Sequence, residues 1–354
     1  MNKTERSNHV SNINRLMRQE LKSIPGTLVL KQTATNKVQV AAQVLQKRYI
    51  FNTDIEAYFS DYICTDLQLF LKLFKDSEIL RIMVGDKVEL ETKTGTHYLP
   101  QQFLDFDTMV ATHDTTKYNT AAILKSEHLN SLRPYLSTDD LRPAMTGVYV
   151  GNRRGSGYLC GTDAHILKHI RQPQLPDTFS EMIIPADVVS CIPKEGKIYL
   201  QKRADTSEMY VMNCKTHRIA FQPIDAKFPD FLAVIPETFI PAAELDRAKV
   251  LEALKIAQNI NTATKQFRLF SRGVSMYIRA EDLDTGQEFE SMAVGTSLQD
   301  GYMQGFNAKL FETVLKDTDG DIIRLRSCEQ NKLMANIGLD PVRVIMAVML
   351  NSYA

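Results

Sequence analysis

The feature that most constrains this chain is an internal repeat about 120 residues long. Ile63-Cys-Thr-Asp-Leu67 opens a helix-like segment, followed by strand-like stretches at 79–84, 87–91 and 97–99. Ile184-Pro-Ala-Asp-Val188 opens the same series, with strands at 197–200, 209–212 and 217–221. Phe306-Asn-Ala-Lys-Leu310 opens it again, with strands at 321–325, 332–335 and 342–346. Asp66, Asp187 and Lys309 hold the same place, 121 and 122 positions apart. A solenoid repeats every 20–50 residues or so, and a period this long is that of a domain.

The first half of each repeat is fainter. Leu129 and Leu251 begin helical patterns, each 55 positions ahead of Ile184 and Phe306. Near the amino terminus Val10, Ile13, Met17 and Leu21 have the spacing of an amphipathic helix, with strands expected at 27–30, 38–42 and 49–51. Each repeat therefore reads helix, strands, helix, strands. This is an α+β chain of three domains, 1–117, 118–237 and 238–354, each made of two helix-plus-strands half-units. The joins fall in the polar stretch 112–119 and between Pro236 and Pro241. In the first domain the assignment rests on periodicity alone.

Composition enters mainly by exclusion. A chain of 354 residues is too long for one core. No apolar run approaches a membrane span, and the polar start lacks a secretory hydrophobic region, so a cytoplasmic protein is expected. The five cysteines are scattered and odd in number, which suits reduced thiols. Lys+Arg and Asp+Glu both number 42, so a basic surface for nucleic acid must be local.

Catalysis finds no constellation. There is no phosphate-cradling loop, dinucleotide fingerprint or nucleophile elbow. Cys160, His165, His169 and Cys191 invite a metal site, but a structural histidine beside a buried cysteine is the simpler account. Asp163 and His165 suggest a dyad without a nucleophile. Asp317-Thr-Asp-Gly-Asp321 resembles the start of a calcium loop, yet the twelfth position is Cys328 where a glutamate is required, so it reads as a turn. No catalytic residue, metal or cofactor is expected.

The most informative stretch is Gly157-Tyr-Leu-Cys-Gly-Thr-Asp-Ala-His-Ile-Leu167, a short strand, a turn at 161–163 and a second apolar segment. Ahead of it stands Arg142-Pro-Ala-Met-Thr-Gly-Val148. Behind it come Ile183-Ile-Pro-Ala186, Asp225-Ala-Lys-Phe-Pro-Asp-Phe231 and Val234-Ile-Pro236. In this order the segments resemble the middle domain of the bacterial sliding-clamp family, the β subunits of DNA polymerase III. That family carries an RPxLxGV strand, a Thr-Asp-Gly-His turn and an FPDY-type segment. The resemblance covers Arg142 to Pro236. It implies the DNA-clamp fold and a head-to-tail homodimeric ring. It also implies a non-catalytic processivity factor that encircles duplex DNA without reading its sequence. An alternative is a peptide-binding adaptor of the same fold that does not encircle DNA.

The resemblance also implies two surfaces. Cations on the pore-facing helices would meet phosphates: Arg15, Arg18 and Lys22 on the first helix, Lys72 and Lys75 on the second, and Arg133 on the third. Lys194 follows the fourth, Arg247, Lys249 and Lys255 lie on the fifth, and Lys309 and Lys316 on the sixth. DNA polymerase and the clamp loader would dock linear peptides in an apolar groove. One wall is Met145, Thr162, Ala164, His165, Ile166 and Leu167; Pro236 lies at the junction; Val344, Met346, Ala347 and Val348 form the other wall. The chain departs from the family in that groove. Ala164 replaces the turn glycine, Ile166 an arginine, Ala347 a proline and Met349 an arginine, which leaves a more apolar groove.

Overall fold

A computed structural model describes residues 1–18, 20–22, 24, 26–104, 118–204, 209–260, 262–328, 334–339 and 342–346. The chain divides into two compact units. One is Met1–Asn130 with Gln174–Asp225; the other is Ser131–Pro173 with Ala226–Ala354.

In both units amphipathic helices pack on antiparallel sheet. Leu67–Asp76 starts where the Asp66 carboxylate accepts the Leu69 N–H at 2.8 Å, and it buries Leu67, Phe70, Leu71 and Phe74. Ala308–Lys316 is capped likewise by Asn307 and buries Ala308, Phe311, Val314 and Leu315. It packs against Arg247–Ile260, whose buried face is Val250, Ala253, Leu254 and Ala257. The first helix departs from its periodicity. It runs Lys3–Leu16, because Asn2 and Glu5 form a reciprocal capping box that starts it seven residues before Val10. It also stops short of Leu21, which lies in the separate turn Glu20–Lys22.

Among the described residues the first unit's sheet has twelve strands and runs, along its main path, Gln101–Gln102, Tyr62–Asp66, Thr27–Gln32, Lys37–Val44, Lys47–Tyr58, His217–Phe221, Tyr210–Asn213, Lys197–Arg203 and Tyr118–Lys125. The second unit's sheet takes in Gly147–Arg153, Ser156–Thr162, Ile166–Arg171, Val342–Met346, Met334–Leu339, Ile322–Ser327 and Ile240–Asp246. It continues through Gly295–Ser297, Ser275–Asp282, Gln266–Arg272 and Met303–Asn307. Strands with one wet face alternate, as in Ser275–Asp282, where Met276, Ile278 and Ala280 point inward. Gly295 is required by packing: a Cβ there would lie 2.2 Å from the Glu244 carbonyl oxygen.

The repeat is regular in its junctions and irregular at its start. In each unit a strand that follows a tight hairpin pairs antiparallel with the last strand of the next repeat. Lys47–Tyr58 meets His217–Phe221, and Ile166–Arg171 meets Val342–Met346. A strand precedes the first helix of the later repeats: Tyr118–Lys125 pairs with Lys197–Arg203, and Ile240–Asp246 with Ile322–Ser327. Ahead of Lys3–Leu16 no such strand is among the described residues. There Lys47–Tyr58 runs on for twelve residues, and its end, Glu56–Tyr58, pairs parallel with Arg81–Met83.

Candidate partner groove and nucleic-acid surface

The hairpin at 162–166 is built by side chains bonding to backbone. One Asp163 carboxylate oxygen accepts the N–H groups of His165 and Ile166, both at 2.8 Å, and the Thr162 hydroxyl donates to the Ile166 carbonyl at 2.8 Å. Asp163 is therefore a turn-former, and His165 stands exposed beside it. The left-handed position is Ala164, at φ +76°. Gly161 lies inside the strand Ser156–Thr162 instead of in the turn, because a Cβ there would press on the Leu132 carbonyl and the Leu136 side chain, each at 3.1 Å.

Strand pairing brings the two expected walls together. Leu167 is the register partner of Val344, and Ile166 of Ile345. Alternation divides them between two faces. Ile166 and Ile345 enter the core shared with Leu254, Phe306 and Phe311. Leu167 and Val344 occupy the opposite face, 7% and 5% exposed. Thr162 is buried too, while Met145, Ala164 and Pro236 are half-buried. Met346 ends the described strand, and Ala347 and Val348 lie outside the described residues.

On the inward face sits a group that sequence reasoning passed over. Lys168 and Arg343 are register partners, and both are buried. The Lys168 ammonium donates to both Asp317 carboxylate oxygens at 2.8 Å. Arg343 donates from Nε to Asp317 Oδ2 at 2.7 Å and from Nη2 to the Asp317 carbonyl at 2.6 Å. The Tyr135 hydroxyl donates to the same carboxylate at 3.0 Å. Burial outweighs the attraction of Asp317 and draws the Lys168 ammonium below its ordinary pKa. The legible signal was a lysine inside the apolar run Ile166–Arg171 and an arginine inside Val342–Met346.

The first unit fills the equivalent junction with neutral rings. Phe51 and His217 are register partners. His9 stacks on Phe51 at 4.1 Å and His217 on Tyr49 at 4.7 Å. His9 Nδ1 lies 3.1 Å from the Tyr49 hydroxyl, which also accepts a bond from the Asn12 amide at 3.1 Å. His217 Nε2 donates to the Cys191 carbonyl at 2.9 Å. Desolvation pulls both imidazoles down to about 4.

The expected cations are placed as follows. Arg15, Arg18, Lys22, Lys72, Lys75 and Lys194 are exposed in the first unit, and Arg133, Lys249, Lys255, Lys309 and Lys316 in the second. Arg15 bonds the Ser190 carbonyl at 2.5 Å. Lys249 pairs with Asp246 at 3.6 Å and Lys316 with Glu312 at 2.7 Å. Arg247 is half-buried and donates to the Leu315 carbonyl at 3.1 Å, closing the end of Ala308–Lys316.

Among the described residues, no three His, Cys, Asp or Glu side chains converge as metal ligands would. Cys160 is fully buried opposite His169, and its thiol is pushed well up by desolvation. All five cysteines are buried thiols, outside any disulfide. Among the described residues, no helix is long and apolar enough to cross a membrane.

The fold defined by these repeated helix-and-strand half-units is that of the DNA sliding clamps. The sliding clamp of Pseudomonas aeruginosa superposes with a TM-score of 0.78 over 98% of both chains, at 16% identity. The Bartonella birtlesii clamp, solved with griselimycin, gives 0.79 at 17% identity over 98% of both chains. The Helicobacter pylori clamp, solved with a DNA ligase peptide, gives 0.79 at 15% identity over the same shares. No protein-family model matches the chain, and no curated protein matches it by sequence.

Proposed function

We propose that the chain is a DNA sliding clamp, a non-catalytic processivity factor that closes as a homodimeric ring around duplex DNA. The observation that carries this reading is the junction that occurs twice within one chain. Each junction consumes one strand of each kind, and one of each kind is left over. Gly95–Leu99 pairs with Val88–Thr92 alone among the described residues, and Gln287–Glu290 with Ser275–Asp282 alone. Such open edges invite pairing with another chain. Joining Gly95–Leu99 of one copy to Gln287–Glu290 of the other, twice over, closes the sheet with two-fold symmetry. Tyr98 on the first of these edges is 60% exposed, an apolar surface for such a pairing to cover.

The three domains 1–117, 118–237 and 238–354 then give six per ring, with exposed cations such as Arg18, Lys72, Lys75, Lys255 and Lys309 turned to phosphate. Contacts of that kind hold without reading bases. The Leu167 and Val344 face, beside the exposed His165, serves as the groove for linear peptides of a DNA polymerase and a clamp loader, with Met346 and Val348 assigned to it by the family resemblance alone. The peptide bound to the Helicobacter clamp supports that use. The test is retention on circular duplex DNA after loading, followed by linearisation. A clamp stays on circles at moderate salt and is lost from cut ends. Equal loss from circles and linear DNA with rising salt shows ordinary phosphate binding. A chain that never dimerises yet binds peptides is the adaptor.

A further inference from the structure

We propose that Asp317 is a positioning residue for the peptide groove, holding its two walls in register through Lys168 and Arg343 without touching the ligand; this rests on the groove reading above. The geometry is specific. Lys168 belongs to the strand that carries Leu167, and Arg343 to the strand that carries Val344. The two cations are register partners, and both close on one carboxylate. Asp317 itself ends the helix Ala308–Lys316, its N–H bonded to the Thr313 and Leu315 carbonyls. Cations gathered at a helix carboxyl end also meet the negative end of its dipole. One side chain therefore fixes both strands to a third element.

The arrangement costs more than an apolar seam would. Two buried cations share one anion, and pairs of this kind are commonly no more stabilising than well-packed hydrophobic residues. What an ionic cluster supplies and a greasy one does not is fixed geometry. The Arg343 contact, from Nε to the carboxylate and from Nη2 to the carbonyl, specifies both distance and direction. Ile166–Arg171 and Val342–Met346 are neighbouring strands inside the sheet, and alternation puts Leu167 and Val344 on the face opposite the two cations, so fixing Lys168 and Arg343 to the helix end also fixes the backbone that carries Leu167 and Val344.

The experiment uses the full chain and a fluorescein-labelled synthetic peptide bearing one glutamine and two terminal leucines, read by fluorescence polarisation beside a melting curve. Met346→Ala with Val348→Ala serves as the groove control and should abolish most binding. Asp317→Asn should weaken the peptide about tenfold or more, since one carboxylate orients both walls. The triple replacement Lys168→Met, Arg343→Met, Asp317→Leu refills the volume without charge. It should recover the melting temperature and remain several-fold weaker for the peptide. Recovery of affinity together with stability overturns the proposal and leaves the cluster a packing feature, as does wild-type binding by Asp317→Asn. Should Asp317→Asn fail to fold, the triple variant decides alone. A wild-type chain that does not bind the probe, or a groove control that binds normally, overturns the groove reading and this inference with it.

Discussion

The two junctions occupy the same place in the fold and solve the same problem with opposite chemistry. In the first unit the register pair Phe51 and His217 packs with the rings of His9 and Tyr49; in the second the pair Lys168 and Arg343 closes on Asp317. The first depends on staying neutral. Its imidazoles are buried against the rings of Phe51 and Tyr49, where a positive charge would lose its hydration. The second depends on staying charged, and one carboxylate serves two cations. Burial alone therefore does not decide what a seam tolerates; the protonation state it was built around does.

Asp317→Ala should be the most damaging single change, costing about 3–5 kcal/mol because two buried cations lose their partner. Chemical denaturation would measure it, and a cost below about 1 kcal/mol would show water reaching the cluster. Acid should strike the other junction. With folded pKa values of about 4 against the ordinary 6.5, His9 and His217 bind fewer protons folded than unfolded between those limits. Stability therefore rises with pH across that window and is flat above it. The first proton alone accounts for a loss on the order of 3 kcal/mol by pH 4, and the second is opposed by the ring 6.2 Å away. His217→Phe should flatten much of the slope. Tyr49→Phe should cost about 1 kcal/mol, because His9 and Asn12 lose a shared partner.

The smallest effects belong to the hairpins that lead into each junction. Leu45 and Ala164 both sit at positive φ, +51° and +76°. Ala164→Gly and Leu45→Gly should each raise stability by about 0.5–1 kcal/mol, the relief of left-handed strain exceeding the added chain entropy. A fall in melting temperature at Leu45 would mean that its exposed side chain makes contacts worth more than the strain.

Periodicity was enough to place most strands and the second helix of each repeat, because alternating and 3.6-residue patterns report directly on burial. It missed the capping box at Asn2, where polar residues decide the start before any apolar one appears. It put Gly161 in a turn when close packing against Leu132 keeps it in a strand. The resemblance selected the strands that carry Leu167 and Val344, but only register shows that Ile166 faces the core. Asp317 was legible as a turn residue and nothing more. Its partners lie 149 and 26 positions away, a distance no local pattern spans.

The proposed closure of two copies through Gly95–Leu99 and Gln287–Glu290 is tested most directly by mass in solution. Light scattering at micromolar concentration should give about 80 kDa, twice the 40.1 kDa chain. Glu288→Pro, which breaks the edge strand without touching a core residue, should give the single-chain mass with a nearly unchanged melting temperature. A wild-type chain that remains at 40.1 kDa across that range would contradict the ring.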